Sequence, residues 1–451
     1  MLEPGSVLAP PRCDSKPTVA VLKPENTTFI VVSFEGPDPY SQAGGLGIRV
    51  TGLVRQLAES GYPTHLFFIG DPNLPGEEHR IDGHLTLHRW GQWISKYHDK
   101  GVYDGEETKR ADLTRSLPAF VVEHAVLPAL EQGRVPVVLM EEWQTADATT
   151  ALADLLVDRG LRAETLMFWN ANNSYGFDCI DWQRLMASAT VTAVSRYMRN
   201  IIRSCGADAL VIPNGIGSEL LQPVSRRDVA SVRSAVGDAN LLFKMARWDR
   251  TKGWRQAIDA VAGLRAIGRR TLLLARSGGP SDVGGQLANE AESHGLKVTN
   301  VESQYALFDK LHEARETDAD VVNLRFGVTS ELARSIYAAA DGVLANSVYE
   351  PFGLVGLEAM AAGGVVYTGG TGEDYAVTGR NAVVLETLDP DEIVERCEEL
   401  SSSPERASRL RRNAKQTARQ YTWQAVLPRL VEPLQRQARR QGLIAAELAS
   451  A

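Results

Sequence analysis

From Thr28 onward, short apolar runs rich in β-branched and aromatic residues alternate with longer stretches whose apolar positions recur every three or four residues. The runs FIVVSF, HLFFIG, VVLM, TLMFW, TVTAV and ALVIP read as strands, with amphipathic helices between them. A second series opens at LLFKMA and continues through TLLLA, KVTNV, DVVNL, GVLAN, VVYT and AVVLE, separated by helical patterns such as GWRQAIDAVAGLRAIG and TSELARSIYAAAD. This alternation predicts parallel βαβ units, and so an α/β fold of two Rossmann-like, doubly wound domains facing across a cleft. In such sheets ligands sit beyond the carboxyl ends of the strands, which directs attention to the loops that follow them.

The two series are separated by the polar stretch SRRDVASVRSAVGDAN, which reads as the segment between domains. The expected organisation is a poorly ordered, Pro-rich lead-in over 1–26, a first domain over 27–222, a second over 235–420, and a terminal helix over 421–451 that returns to the first domain. Two domains also suit the length, because 451 residues exceed the ~250–300 that one core serves.

Composition removes several function classes. A net charge of -8 speaks against a nucleic-acid partner, which needs an excess of cations on one face. The basic stretch from Arg406 to Arg440 reads as a solvated helix face, with a polyanion or membrane edge as the alternative. No run approaches the roughly 18 apolar residues of a membrane span, and the start lacks a signal-peptide core, so a cytoplasmic protein with no integral membrane segment is expected. Cys13, Cys179, Cys205 and Cys397 are widely spaced and pair with no histidine pattern, so neither a metal site nor a disulfide framework is predicted.

The strongest chemical signal is EPFGLVGLE, residues 350–358, placed after the strand GVLAN and opening an apolar helix. Along a helix eight residues rise ~12 Å and turn by roughly 80°, so Glu350 and Glu358 can hold the two hydroxyl-bearing ends of an elongated ligand. Between them the amides of Phe352, Gly353 and Leu354 open a helix, where negative charge is favoured and a diphosphate fits. Arg247 and Lys252, in the loop after the first strand of the second series, supply cations for the same diphosphate. Each feature has a plainer reading as helix-dipole compensation or loop solvation. In the first domain the loop through Gly44 and Gly45 follows FIVVSF and lets backbone approach a ligand, but it carries only G-G-x-G and no dinucleotide fingerprint.

Together these segments resemble the retaining GT-B glycosyltransferases, in particular glycosyltransferase family 4 and the related glycogen and starch synthases. The resemblance runs from Thr28 through nearly the whole chain. Besides the paired glutamates it rests on VSRYMRNIIRSCGADALVIPNGI, MARWDRTKGW, LLLARSGGP, NLRFGVTSELARSIYAAADGVLANSVYEPFG and GGTGEDYAVTGRNAVVLE, in that order. It implies an enzyme that transfers a hexose from a nucleoside diphosphate sugar to an acceptor hydroxyl, with no metal and no bound cofactor. On this pattern Glu350 contacts the transferred sugar, Glu358 the ribose, and Arg247 and Lys252 the diphosphate. The Gly44–Gly45 loop closes over the donor, and Arg325 to Val328 flank the base.

The chain departs from the synthases at Gln42-Ala43-Gly44-Gly45-Leu46, where a lysine is usual, and at MEEWQTADA, where they carry His-Asp-Trp. In FWNANNSYGF, Asn172 occupies the place of a histidine; it can hydrogen-bond a sugar but cannot exchange protons. These departures weaken a polymer-elongating reading. They leave Asn172, Tyr175, Glu141, Glu142 and Trp143 as acceptor-side candidates, each with packing as the plainer alternative. His124 reads as an interior or boundary histidine, and Trp169 and Trp182 as core residues rather than sugar platforms. Two other functions stay open beside transfer: an epimerase or phosphorolytic enzyme on the same donor, and a sugar-nucleotide sensor without catalysis.

Overall fold

Two parallel sheets carry the apolar runs in the computed structural model, which describes residues 21–278 and 285–445. Most of the lead-in, Cys13, the Gly279-Pro280 end of LLLARSGGP and the last six residues lie outside the described part. The first sheet contains β1 (Thr27–Val32), β2 (Thr64–Ile69), β3 (Glu77–Arg80), β4 (Leu85–Trp90), β5 (Val135–Glu141), β6 (Leu166–Ala171), β7 (Thr190–Ala193) and β8 (Leu210–Val211). The second contains β9 (Asn240–Met245), β10 (Thr271–Arg276), β11 (Val298–Val301), β12 (Val321–Leu324), β13 (Gly342–Ala345), β14 (Val366–Thr368) and β15 (Val383–Val384).

Strand order is β3-β4-β2-β1-β5-β6-β7-β8 in the first sheet and β11-β12-β10-β9-β13-β14-β15 in the second. Every pairing is parallel except β3 against β4. The order reverses beside the first strand of each sheet: β1 lies between β2 and β5, with Phe29 opposite both Thr64 and Val137, and β9 lies between β10 and β13. Chain connections leave on opposite sides at such a point and open a crevice at the strand ends. The candidate loops of both domains start there.

Helices cover both faces of each sheet, which is why the strands read as continuous apolar runs; all six residues of β1 are buried. Beneath one face of the first sheet, Leu46, Val50, Leu53 and Leu57 of helix Gly45–Glu59 share a cluster with Trp423, Val426, Leu430 and Leu434 of helix Trp423–Arg440. The C-terminal helix therefore belongs to the core of the first domain. Trp423 fills the space between the segments it joins: a Cβ on Gly52 would lie 2.1 Å from its Nε1, and one on Gly215 would lie 2.5 Å from its Cδ2. The outgoing and returning chain pair at this crossing, where Ile216 N donates to Tyr421 O (2.8 Å) and Trp423 N to Ile216 O (3.0 Å).

The polar stretch expected to separate the domains is instead helix Arg226–Val236, capped by Ser225 Oγ on the Asp228 amide. Its few apolar residues, Val232, Ala235 and Val236, are enough to bury one stripe in the second domain's core. The passage between domains thus falls before residue 226. His124 is exposed, not interior: it lies in a wide-turn segment, Val122–Val126, continuing helix Glu106–Val121, with its ring 4.0 Å from that of Phe120. Trp169 and Trp182 pack edge to face at 5.7 Å and are buried in the core. Among the described residues no helix is long and apolar enough to cross a membrane.

Candidate functional site

On the second domain, the loop after β9 and the loop after β13 converge. Lys252 Nζ lies 2.9 Å from Glu350 Oε2, with both side chains about one-fifth exposed. Glu350 is held by its backbone: its amide donates to Thr371 Oγ1 (2.8 Å), and its carbonyl accepts from Gly372 N (2.8 Å). Gly353 adopts φ +82°, a left-handed conformation that opens helix Leu354–Ala362, and its carbonyl accepts from Tyr375 Oη (2.5 Å). The amides of Leu354, Val355 and Gly356, at the first turn, have no acceptor among the described residues. A turn of unpaired amides next to a lysine is a binding place for an anion.

The side chain of Glu358, further along this helix, makes no hydrogen bond or ion pair among the described residues, and burial pushes its pKa up to about 7. Behind Gly353 stands a carboxyl that the sequence did not single out. Glu373 is buried, and neither oxygen has a hydrogen-bond partner among the described residues. Burial, then the charge of Glu350, hold its pKa well above the ordinary carboxylate range. Lys244, buried on β9, donates to Leu344 O (3.2 Å) and Asn346 Oδ1 (2.5 Å), tying β9 to the end of β13. Burial, then the nearby Lys252, lower its pKa to about 7.

Arg247 sits two residues past β9 with its side chain exposed and no ion pair among the described residues. Phe352 is buried against Tyr375 and Tyr421, at ring distances of 5.7 and 6.1 Å. The side chain of Arg325 turns to Glu302 (3.1 Å) at an exposed rim, and Val328 is half-buried. A cavity of about 700 Å³ opens on the outer flank of the 248–255 loop, lined by Trp248, Arg250, Trp254, Asp259, Asn289 and Glu290; it contains neither glutamate of the 350–358 pair.

The first-domain loop is organised by Glu35, another residue missed in the sequence. Its Oε2 accepts the amides of Ala43 (3.0 Å), Gly44 (2.9 Å) and Gly47 (2.9 Å), and its Oε1 accepts Tyr103 Oη (2.5 Å). The amide of Gly44 is therefore engaged within the protein, while Gly45 is exposed and a Cβ built on it would meet nothing within 4 Å. At the end of β5, Glu141 forms a fully buried pair with Arg49 (2.9 Å), extended through Asn170, Asn214 and Asn172. Asn172 is mostly spent on this scaffold: its side-chain oxygen accepts from Asn214 Nδ2 (3.1 Å).

Glu142 is buried with φ +73° and ψ 166°, a conformation that costs a residue with a side chain about 1–3 kcal/mol. Its carboxylate offsets that cost by accepting the amides of Asn172 and Asn173 and the Asn173 side chain (2.8 Å). Burial pushes its pKa up to about 8, opposed by those two amides. Glu142 thus shapes the 172–175 turn from beneath. On that turn Tyr175 is 72% exposed, 6.0 Å from the Trp143 ring, which also lies under Arg110 at 5.2 Å. The exposed Tyr175 ring, backed by the half-buried Trp143, presents an aromatic face to whatever occupies the first-domain side.

The domains touch away from the crossing at Arg196 and Asp374, where the Arg196 amide and Nε reach the carboxylate at 2.8 and 3.1 Å. Lys252 and Glu350 thus meet beside the start of helix Leu354–Ala362, while Glu142, Trp143, Asn172 and Tyr175 cluster on the first domain. Among the described residues no hydrogen bond or ion pair joins Gly44 or Gly45 to Lys252 or Glu350. Among the described residues no group of three or more His, Cys, Asp or Glu side chains could hold a metal ion.

Residues 226–417 match the family described as "Glycosyl transferases group 1". The chain is 26% identical over 415 residues to a D-inositol 3-phosphate glycosyltransferase of Corynebacterium urealyticum, covering 86% of this chain and 90% of that protein. It is also 26% identical over 219 residues to a glycogen synthase of Bordetella parapertussis, covering 46% and 40% of the two chains. Among solved structures, sucrose-phosphate synthase from Thermosynechococcus elongatus aligns over 92% of this chain and all of its own, with TM-score 0.63 at 20% identity. The catalytic domain of Arabidopsis thaliana starch synthase IV aligns over 90% of this chain and all of its own, with TM-score 0.63 at 17% identity. These likenesses show a GT-B fold.

Proposed function

We propose that this chain, whose residues 226–417 form a group 1 glycosyl transferase domain, is a retaining glycosyltransferase that moves a hexosyl group from a nucleoside diphosphate sugar to an acceptor hydroxyl. The observation that carries the reading is the meeting of Lys252, Glu350 and the free amides of helix Leu354–Ala362. In the ligand-free state Lys252 neutralises Glu350; a diphosphate takes Lys252 for itself and leaves Glu350 to accept hydroxyls of the transferred sugar. Glu358 accepts ribose hydroxyls at the far end, Arg247 closes on the diphosphate, and residues 325–328 border the base.

The bond between the anomeric carbon and the phosphate oxygen breaks as the acceptor oxygen bonds the same face of that carbon. The acceptor's proton passes to the departing phosphate. Positive charge from Lys252, Arg247 and the helix amides stabilises the leaving group, so the step needs no metal. Trp143 and Tyr175 offer the acceptor an aromatic wall, while Glu142 and Asn172 fix the turn that carries it. Similarity along most of the chain to an enzyme named for a phosphorylated polyol, and the missing lysine at Gln42-Ala43-Gly44, favour a small soluble acceptor over a growing glucan.

A thermal-shift panel of UDP, GDP and ADP sugars identifies the donor, and nucleoside diphosphate release with candidate acceptors measures transfer. Glu350→Ala should fold normally and lose turnover; unchanged transfer by that variant contradicts the assignment. Donor incubated alone should stay chemically unaltered apart from slow hydrolysis, whereas an altered sugar would indicate an epimerase.

A further inference from the structure

The loop that supports Glu350 also grips the opposite domain. Gly372 N donates to Glu350 O, Asp374 N donates to Gly372 O (2.8 Å), and Thr371 Oγ1 accepts the Glu350 amide. The loop has no slack against this segment: a Cβ on Gly372 would lie 2.1 Å from Pro351 O and 2.2 Å from Glu350 O. Two residues after Gly372, Asp374 leaves its own domain. Its Oδ2 accepts the Arg196 amide at 2.8 Å and its Oδ1 accepts Arg196 Nε at 3.1 Å.

Arg196 opens helix Arg196–Ser204 of the first domain, where Ser195 Oγ already caps the Met198 amide at 3.2 Å. A helix start has four amides without internal acceptors and favours negative charge, so Asp374 supplies from the other domain what the first turn lacks. Among the described residues this is the one ion pair joining the two domains. The same loop has a second link to the first domain: Phe352, Tyr375 and Tyr421 form a triangle of rings 5.7 to 6.1 Å apart, and Tyr421 O accepts Ile216 N at the crossing.

We infer that Asp374 is a positioning residue that latches the donor loop to the first domain, coupling the placement of Glu350 to closure of the cleft. A closed cleft keeps water from the anomeric carbon while the acceptor waits. The Arg196 side chain is 75% exposed, so its ion pair contributes little. The bond to the helix amide carries the latch, and Asp374→Asn, which keeps an acceptor oxygen, should retain part of it.

The kinetic arm rests on the transfer reading above; the scattering arm does not. Small-angle X-ray scattering of the ligand-free full chain should show a larger radius of gyration for Asp374→Ala than for wild type, with Asp374→Asn and Arg196→Ala in between and melting temperatures close to wild type. With UDP-glucose, ADP-glucose or GDP-mannose, whichever the wild type uses, Asp374→Ala should lose about tenfold in transfer, in line with the loss of one helix-capping acceptor, and a larger share of donor should be hydrolysed. Wild-type scattering together with a wild-type ratio of hydrolysis to transfer in Asp374→Ala overturns the inference. So does a loss of turnover matched only by a fall in melting temperature. If wild type uses none of the three sugars, the transfer reading fails, and the ligand-free scattering alone supports or overturns the latch.

Discussion

Gly353→Ala tests whether the geometry around Glu350 is set by crowding as well as by backbone conformation. At φ +82° an L-residue costs about 1–2 kcal/mol. The new Cβ would also lie 2.7 Å from Glu373 Cγ, 2.8 Å from Tyr375 Oη and 3.3 Å from Glu350 Cγ. Moving those side chains off their rotamers costs about 0.5–1.5 kcal/mol, and weakening the bond from Tyr375 Oη to Gly353 O about 1 kcal/mol more. Gly363, at the other end of the same helix, has φ +86° but nothing within 4 Å of a Cβ, so Gly363→Ala bears the backbone cost alone. In urea unfolding Gly353→Ala should therefore be destabilised by about 1.5–2.5 kcal/mol more than Gly363→Ala. In the transfer assay it should lose at least tenfold in turnover while Gly363→Ala stays near wild type. Equal destabilisation of the two variants with full turnover in both refutes the reasoning.

Lys252→Met should unfold within about 1 kcal/mol of wild type, because its ion pair is partly exposed, yet lose roughly 10²–10³ in turnover through the lost charge on the leaving diphosphate; urea melts and initial rates check both. Trp423→Ala removes the side chain filling the space between helix Gly45–Glu59 and Gly215, and should cost about 3–5 kcal/mol in the same melts. Glu358, with its pKa raised to about 7, holds a proton in the folded state after the unfolded chain has released it. Its stabilising contribution is complete below the ordinary carboxylate pKa and fades as pH rises through about 7. Melting temperatures from pH 5 to 8 should accordingly show Glu358→Gln gaining on wild type as pH rises. Tyr175→Ala, on an exposed ring, should leave stability within about 0.5 kcal/mol and raise KM for the acceptor more than KM for the donor in steady-state kinetics.

Much of the fold was legible because its strands are buried on both faces, and runs such as FIVV and LLLA mean little else. What escaped was structure whose burial is one-sided or slight. β3, with the sequence EEHR, is a short antiparallel edge strand, largely exposed; β4 escaped for a different reason, being buried on both faces yet broken by the polar residues Thr86, His88 and Arg89. Helix Arg226–Val236 hid in a charged stretch because three small apolar residues suffice to dock it.

At the site, Glu350, Lys252 and the helix start were readable because they lie in two short segments with local spacing. Glu35, Glu373 and Asp374 were not. Glu35 acts on amides 8 to 12 residues later and on Tyr103, and Asp374 acts on a helix 178 residues earlier. Such roles arise only when separate strands place their ends together. Glu142 drew notice in the sequence for its neighbours, but its positive φ, and hence its work beneath the 172–175 turn, has no sequence signature in a glutamate.

Hydrogen exchange followed by mass spectrometry tests most directly the claim that an anionic leaving group is held where residues 350–358 turn into a helix. With a nucleoside diphosphate added, peptides covering 350–358 and 247–253 should exchange more slowly than in the free protein, and Lys252→Met should abolish the effect. Protection confined to the outer flank around Asn289 and Glu290, with 350–358 unchanged, would contradict the account.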